Sequence, residues 1–227
     1  MPNILLVSDF FYPSTGGVET HILSLARELS LKHSVFVLTR DYPSHRGCLT
    51  IAGISVHFVS FPKLKSVSIP LYPFIGSVLS SIIKEHSIDI IHCHQIFSTL
   101  SLFTLLCSSF LKIPVLLTNH SLIGFETGSV FIKFLLPHLI RGSTCRTIIS
   151  VSNSACKNIQ QFTGLVNRKL SHHVIPNGIG SECLPIDNRC RQYSKILISC
   201  VFRHTSRKGT SLYAEVLIRF FKFNFFQ

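Results

Sequence analysis

The 227 residues include eight cysteines, but no two are spaced C-x-x-C. That spacing excludes zinc ribbons and dithiol redox sites. Several of the thiols, such as Cys107 in "LFTLLCSSF" and Cys200 in "ILISCVF", lie inside apolar runs and read as buried thiols of a reducing compartment. The Met1-Pro2-Asn3 start has no basic stretch, and the first apolar run is far too short for a secretory signal. The longest apolar region, 100–118, is divided by Lys112 and Pro114, so it reads as helix, turn and strand and not as a membrane span. No G-x-G-x-x-G fingerprint occurs, and no acid follows the first strand at the distance a ribose would need, which argues against a dinucleotide site. Acidic residues are few: Asp+Glu 10 against Lys+Arg 22, a formal charge of +12. Residues 1–156 hold 11 basic and 7 acidic side chains, and residues 157–227 hold 11 and 3. A basic second part suits phosphate groups, and equally a solvated basic face. No basic–aromatic interleaving marks a nucleic-acid module.

What remains is 46% hydrophobic and 14% charged, the composition of a well-packed globular chain. Strand-length apolar runs at 3–8, 34–39, 54–60, 88–93, 113–118, 146–151, 172–176 and 195–201 alternate with helical patterns at 18–31, 73–86, 97–111, 129–141 and 152–163. In the first helix Val18, Ile22, Leu25, Ala26 and Leu29 mark one face, and Ser152 is placed to cap the fifth. Near-continuous apolar strands separated by helices predict an α/β fold, a doubly wound, Rossmann-like parallel sheet covered on both faces. The final "LIRFFKFNFFQ" holds five phenylalanines and fits no element of that pattern.

In such sheets ligands bind beyond the carboxyl ends of the strands. Five places qualify: Asp9 to Glu19 with the pair Gly16-Gly17; His92 and His94; Asn119 and His120; Asn177-Gly178; and "RHTSRKG" with Arg203, Arg207 and Lys208. A glycine pair at a helix start either makes a turn or lets an anion lie against free backbone N–H groups. His92 and His94 share one face of a strand, yet no third ligand lies near them in sequence, so a metal is not expected. His120 is placed either to hydrogen-bond a polar substrate or to serve the structure. Arg203 and Lys208 bracket a short loop and fit a diphosphate better than a single carboxylate, unless they are simply solvated.

Together "SDFFYPSTGGVETHI", "IIHCHQIFS", "TNHSLIGF", "VSNSACKN", "VIPNGI" and "RHTSRKG" resemble, in order, the signature of the retaining GT-B glycosyltransferases. The wording is similar to the PIG-A family, the catalytic subunits of phosphatidylinositol N-acetylglucosaminyltransferase. The resemblance implies transfer of N-acetylglucosamine from UDP-GlcNAc to phosphatidylinositol, the first step of GPI-anchor biosynthesis. It implies work at the cytoplasmic face of the endoplasmic reticulum membrane with the other subunits of that transferase complex, without metal or other cofactor and without nucleic acid. Carried over by motif, Gly16 and Gly17 approach a phosphate, Glu19 is the acid after them, and His120 lies near the transferred sugar. Arg203 and Lys208 neutralise the leaving diphosphate.

Two features depart from the pattern. Gly180 stands where the family usually has aspartate, and the Glu-x7-Glu element of a second Rossmann-like domain is absent. The resemblance therefore divides the chain into an acceptor-side domain, 1–190, and the truncated start of a donor-side domain, 191–227, with an aberrant Phe-rich tail; no transfer by this chain alone is expected. The alternative readings are a related retaining transferase with another acceptor, and a non-catalytic subunit that binds lipid or a partner.

Overall fold

The computed structural model describes residues 1–60, 74–124, 129–164, 170–178 and 209–225. The expected strand 195–201, and with it Arg203, Arg207 and Lys208, lies outside the described residues. The chain divides into two compact units, Met1–Cys183 and Leu184–Gln227.

The first unit is built on β1 (Asn3–Val7), α1 (Gly17–Ser30), β2 (Ser34–Arg40), β3 (Gly47–Ile51), β4 (Ile54–Val59), α2 (Ile75–Glu85), β5 (Ile90–His94), α3 (Thr99–Leu111), β6 (Val115–Asn119), α4 (Ser129–Gly142), β7 (Cys145–Ser150), α5 (Asn153–Thr163) and β8 (Ser171–Val174). Its eight strands form one sheet in the order β3-β4-β2-β1-β5-β6-β7-β8. All neighbours are parallel except β3 and β4, an antiparallel edge pair. The expectation of an α/β, doubly wound parallel sheet therefore holds for this unit. The edge hairpin is a departure from the sequence pattern, which places no strand at 47–51. Ala52 and Gly53 both take positive φ, 50° and 81°, as a two-residue hairpin turn requires. Gly47 to Thr50 are exposed, so this strand carries no apolar run to betray it.

Alternation along β1 explains why helices cover both faces. Leu5 and Val7 point into the larger core with Leu79, Ile91, Leu100, Leu105, Leu117 and Leu136. Ile4 and Leu6 point into the smaller core with Ile22 and Ala26 of α1 and Val37 and Val56. A buried strand flanked by apolar layers needs apolar residues at both parities, and β1 supplies them. The chain runs outward from β1 to β2 and later returns to place β5 on the other side of β1. The carboxyl ends of β1 and β5 thus flank the topological switch point, where open α/β sheets hold their ligands.

That crevice is fixed by a polar lock. Ser98 Oγ accepts from the Asp9 backbone N–H (2.9 Å) and from Ser101 N–H (3.2 Å), capping α3, and donates to Asp9 Oδ2 (3.2 Å). The same carboxylate oxygen accepts from Thr99 Oγ1 (2.9 Å) and Leu100 N–H (3.2 Å). An acid at a helix N-terminus is favoured by the helix dipole, and the loop after β1 is thereby bound to the start of α3.

In the second unit the described element is α6 (Thr210–Phe225). The tail that fits no sequence pattern is therefore helical. Glu215 and Arg219 pair at 2.6 Å one turn apart, while Leu212, Val216, Ile218 and Phe220 are exposed.

Ser98→Ala should destabilise the first unit by about 2–4 kcal/mol, one part from the lost cap and the rest from the Asp9 groups that lose their partner. Urea unfolding would register a lower midpoint with an unchanged slope; a midpoint within error of the parent would show the lock to be dispensable.

Candidate functional site

At the carboxyl end of β1 the chain turns through Asp9 to Thr15 and enters α1 at Gly16. Gly16 is extended, with φ 179° and ψ 175°, a conformation any residue adopts. Gly17 begins the helix, and a Cβ built on it would meet nothing within 4 Å. Backbone strain demands neither glycine, and crowding does not demand Gly17. The first turn of an α-helix leaves its N–H groups without intrahelical partners. At α3 and α5 the side chains of Ser98 and Ser152 accept from Ser101 and Ala155. At α1 the capping position is a glycine, with no side chain to offer, and Glu19 lies in the first turn. The first backbone bond of the helix is Thr20 N–H to Gly16 C=O, at 3.0 Å.

One turn further along α1 stands His21, on the same face as Gly17 by the 3.6-residue period. Its ring lies edge-on to that of His120, centroids 4.8 Å apart, and 5.7 Å from that of His94. His94 ends β5 and His120 follows β6, adjacent strands of the sheet, and His94 Nδ1 lies 3.2 Å from His120 Nε2. His92, two residues back on the same face, packs on His94 with centroids 4.0 Å apart. Its Nε2 makes a 2.7 Å bond with Thr118 Oγ1. Beside them Gln95 donates from Nε2 to Ser121 Oγ (2.8 Å), and Asn119 Oδ1 accepts from Ser121 N–H (3.1 Å). Four imidazoles from α1, β5 and the β6–α4 loop thus meet at the switch-point crevice.

Their electrostatics follow from burial. Desolvation, with the neighbouring rings adding to it, lowers His92 to about 3 and His94 well below the ordinary imidazole range. His120 falls to about 4, from burial first and then the nearby His21. Burial also lowers His21. At neutral pH the cluster is a set of uncharged donors and acceptors. It can orient a hydroxyl or lend lone pairs, and it cannot by itself neutralise a diphosphate.

Of the residues marked by the sequence, Gly17 stands one turn before His21 on α1, and His120 meets His21 and His94 with His92 behind them; Gly16 and Glu19 lie at the start of the same helix. Arg203 and Lys208 lie outside the described residues. The sequence pattern does not single out His21. Its signal is its position four residues after Gly17 on a helix whose buried stripe, Ile22 and Ala26, begins one residue later. The five described cysteines, Cys48, Cys93, Cys107, Cys145 and Cys156, are free thiols; Cys93 and Cys145 are buried, Cys107 in its apolar run is only half-buried, and Cys200 lies outside the described residues.

The sequence profile of Glycosyltransferase Family 4 matches residues 15–182. The phosphatidylinositol N-acetylglucosaminyltransferase GPI3 subunit of Saccharomyces cerevisiae (strain YJM789) is 31% identical over 95% of this chain and 49% of its own length. The corresponding phosphatidylinositol N-acetylglucosaminyltransferase protein of Homo sapiens is 31% identical over 95% of this chain and 44% of its own length. The chain spans about half the length of the curated relatives it matches. Among solved structures, sucrose-phosphate synthase from Thermosynechococcus elongatus superposes with a TM-score of 0.57 at 14% identity, over 78% of this chain and 48% of that one. Anabaena HepE in complex with UDP-glucose superposes with 0.56 at 17% identity, over 78% and 44%. Both are likenesses of fold.

Keeping three buried imidazoles neutral makes the fold acid-sensitive. A depressed folded-state pKa gives stability that is present above the unfolded value, near 6.5, and lost as pH falls towards 4 and 3. Denaturant midpoints should be level above about pH 7 and fall below 6.5, by up to about 1.4 kcal/mol per pH unit for each group. A midpoint unchanged between pH 7.5 and pH 5 would mean the rings accept protons in place.

Proposed function

The chain belongs to glycosyltransferase family 4, and from that premise we propose that it is the acceptor-side part of a phosphatidylinositol N-acetylglucosaminyltransferase. The reaction is transfer of N-acetylglucosamine from UDP-GlcNAc to the inositol of phosphatidylinositol, with retention at the anomeric carbon. The observation that carries this reading is identity of about 30% along nearly the whole chain to proteins bearing that name. The position of α1, His94 and His120 at the topological switch point supports the reading.

In this reading the tasks divide by charge. The open N-terminus of α1, with Gly16 and Gly17 offering backbone and no side chain, receives a substrate phosphate. Glu19, in the same turn, orients a hydroxyl beside it. His120, uncharged at neutral pH, hydrogen-bonds the transferred sugar or the acceptor hydroxyl and does not serve as a counter-charge. The charge that builds on the leaving diphosphate must be met by permanent cations, the role assigned to Arg203 and Lys208. Residues 1–190 then form the acceptor-side domain, with donor-side contacts beginning in 191–227. Work at the cytoplasmic face of the endoplasmic reticulum membrane with further subunits of the transferase belongs to the same reading. No helix among the described residues is long and apolar enough to cross a membrane.

The test joins residues 1–183 to the matching C-terminal part of the Saccharomyces cerevisiae relative, which is 31% identical to this chain. The chimera is placed in membranes of cells lacking their own enzyme and given labelled UDP-GlcNAc. Labelled GlcNAc-phosphatidylinositol is expected. Gly17→Val should lower its formation at least ~100-fold while leaving the unfolding midpoint nearly unchanged, since several charge-assisted bonds of about 1.5–3 kcal/mol each are blocked without any clash inside the protein. Near-normal product from that variant would deny the glycines a substrate role. A folded chimera that binds phosphatidylinositol vesicles but forms no product would favour a non-catalytic lipid-binding role.

A further inference from the structure

The imidazole cluster has a second use, which none of the relatives' names suggests. One ring nitrogen from each of His21, His94 and His120 lies within 4.8 Å of the other two. They come from three different elements, so no spacing in the sequence announces them. We propose that these three residues form a binding site for a borderline divalent transition-metal ion of the Zn2+ class, with the fourth coordination position open to the crevice.

Geometry is the first support. Ligands at 2.0–2.1 Å on a tetrahedral ion lie about 3.3–3.4 Å apart. His94 Nδ1 and His120 Nε2 already stand 3.2 Å apart, so an ion can take the place of the single proton they share. His21, half-buried on α1, has a ring nitrogen within 4.8 Å of the other two and would close the third side by a side-chain rotation. Donor chemistry is the second support. The site is all imidazole, which suits zinc, copper, nickel or cobalt and not the oxygen-seeking Mg2+ or Ca2+.

The third support is the packing behind the ligands. His92 stands apart from the ligand set, because its Nε2 is engaged with Thr118 Oγ1. It packs against His94 and fixes that ring's orientation, as the outer layer of a metal site does. An ion bound here withdraws His120 from substrate. On the proposed function, and resting on it, zinc therefore opposes transfer and is not its cofactor.

The experiment is a Co2+ titration of the purified 227-residue chain, followed by visible absorption, with Zn2+ displacement and equilibrium dialysis to count ions. One equivalent should bind and give the intense visible band of tetrahedral Co2+, abolished by Zn2+. His21→Ala should weaken binding at least tenfold, and His120→Ala likewise, each with the parent's circular dichroism. His138→Ala, at an exposed position on α4, should bind as the parent does. Equal binding by His21→Ala and the parent would overturn the site. So would a sulfur-to-cobalt charge-transfer band, which would assign the ion to the cysteines. In the chimera, Zn2+ should reduce transfer and a chelator restore it. Stoichiometric binding through the three histidines with transfer unaffected would leave the site standing and remove His120 from the reaction.

Discussion

The crevice depends on one buried carboxylate. Asp9 holds the loop leaving β1 against the start of α3 through Ser98, Thr99 and the Leu100 N–H. Placing a charged group at 6% exposure is costly unless it is fully hydrogen-bonded, and here the donors and the helix dipole supply the compensation. The consequence is positional. The loop that delivers Gly16 and Gly17 cannot drift relative to β5, because α3 follows β5 by only a few residues. Ser101 tightens the same joint, its single O–H lying within hydrogen-bond distance of the carbonyls of both Val7 (3.1 Å) and His94 (2.9 Å). The last residue of β1 and the last of β5 are therefore tied to one side chain.

On that frame the site separates two kinds of electrostatics within a few ångströms. The N-terminus of α1 offers fixed partial positive charge that does not titrate. The imidazoles beside it are held neutral by desolvation and by each other. Were they protonated at working pH, four cations would crowd one another, and His120 would present only donors. Kept neutral, each ring offers one donor and one acceptor, which suits sugar hydroxyls and, equally, a metal ion. On the two proposals, the burial that suits the site to hydroxyl recognition would also leave it open to zinc, and both uses would compete for His120.

Most of the fold is legible in the sequence, because strands covered on both faces need apolar residues at every position and helices need them only along a stripe. The expected strands at 3–8, 34–39 and 54–60 and the helices at 18–31, 97–111 and 152–163 all appear within a few residues of their expected bounds. β3 is not legible for the opposite reason: an exposed edge strand has no hydrophobic demand, and its register comes from the Ala52-Gly53 turn. The tail escapes the pattern because its phenylalanines follow no amphipathic period, although 210–225 is helical. Of the site, the strand-end histidines and the glycine pair can be read from the rule that ligands bind beyond carboxyl ends. His21 cannot, since its partners are 73 and 99 positions away in the chain, counting from His21 to His94 and His120. Only the parallel pairing of β1, β5 and β6 brings them together.

The glycine pair can be weighed against the molecule's other glycines. Gly53 and Gly164 take φ of 81° and 60°, where a side chain strains the backbone, and the fold accounts for them. Gly16 is extended and Gly17 is helical with open space where a Cβ would go. Gly17 is the first residue of α1, and its missing side chain gains nothing within the protein's own packing. On the proposed function, the reason for the pair is a substrate group outside the chain. The space in question lies at an uncapped helix N-terminus, beside the switch-point crevice and one turn from His21. A phosphate drawn against the backbone is the group that such a space would admit and a side chain would exclude.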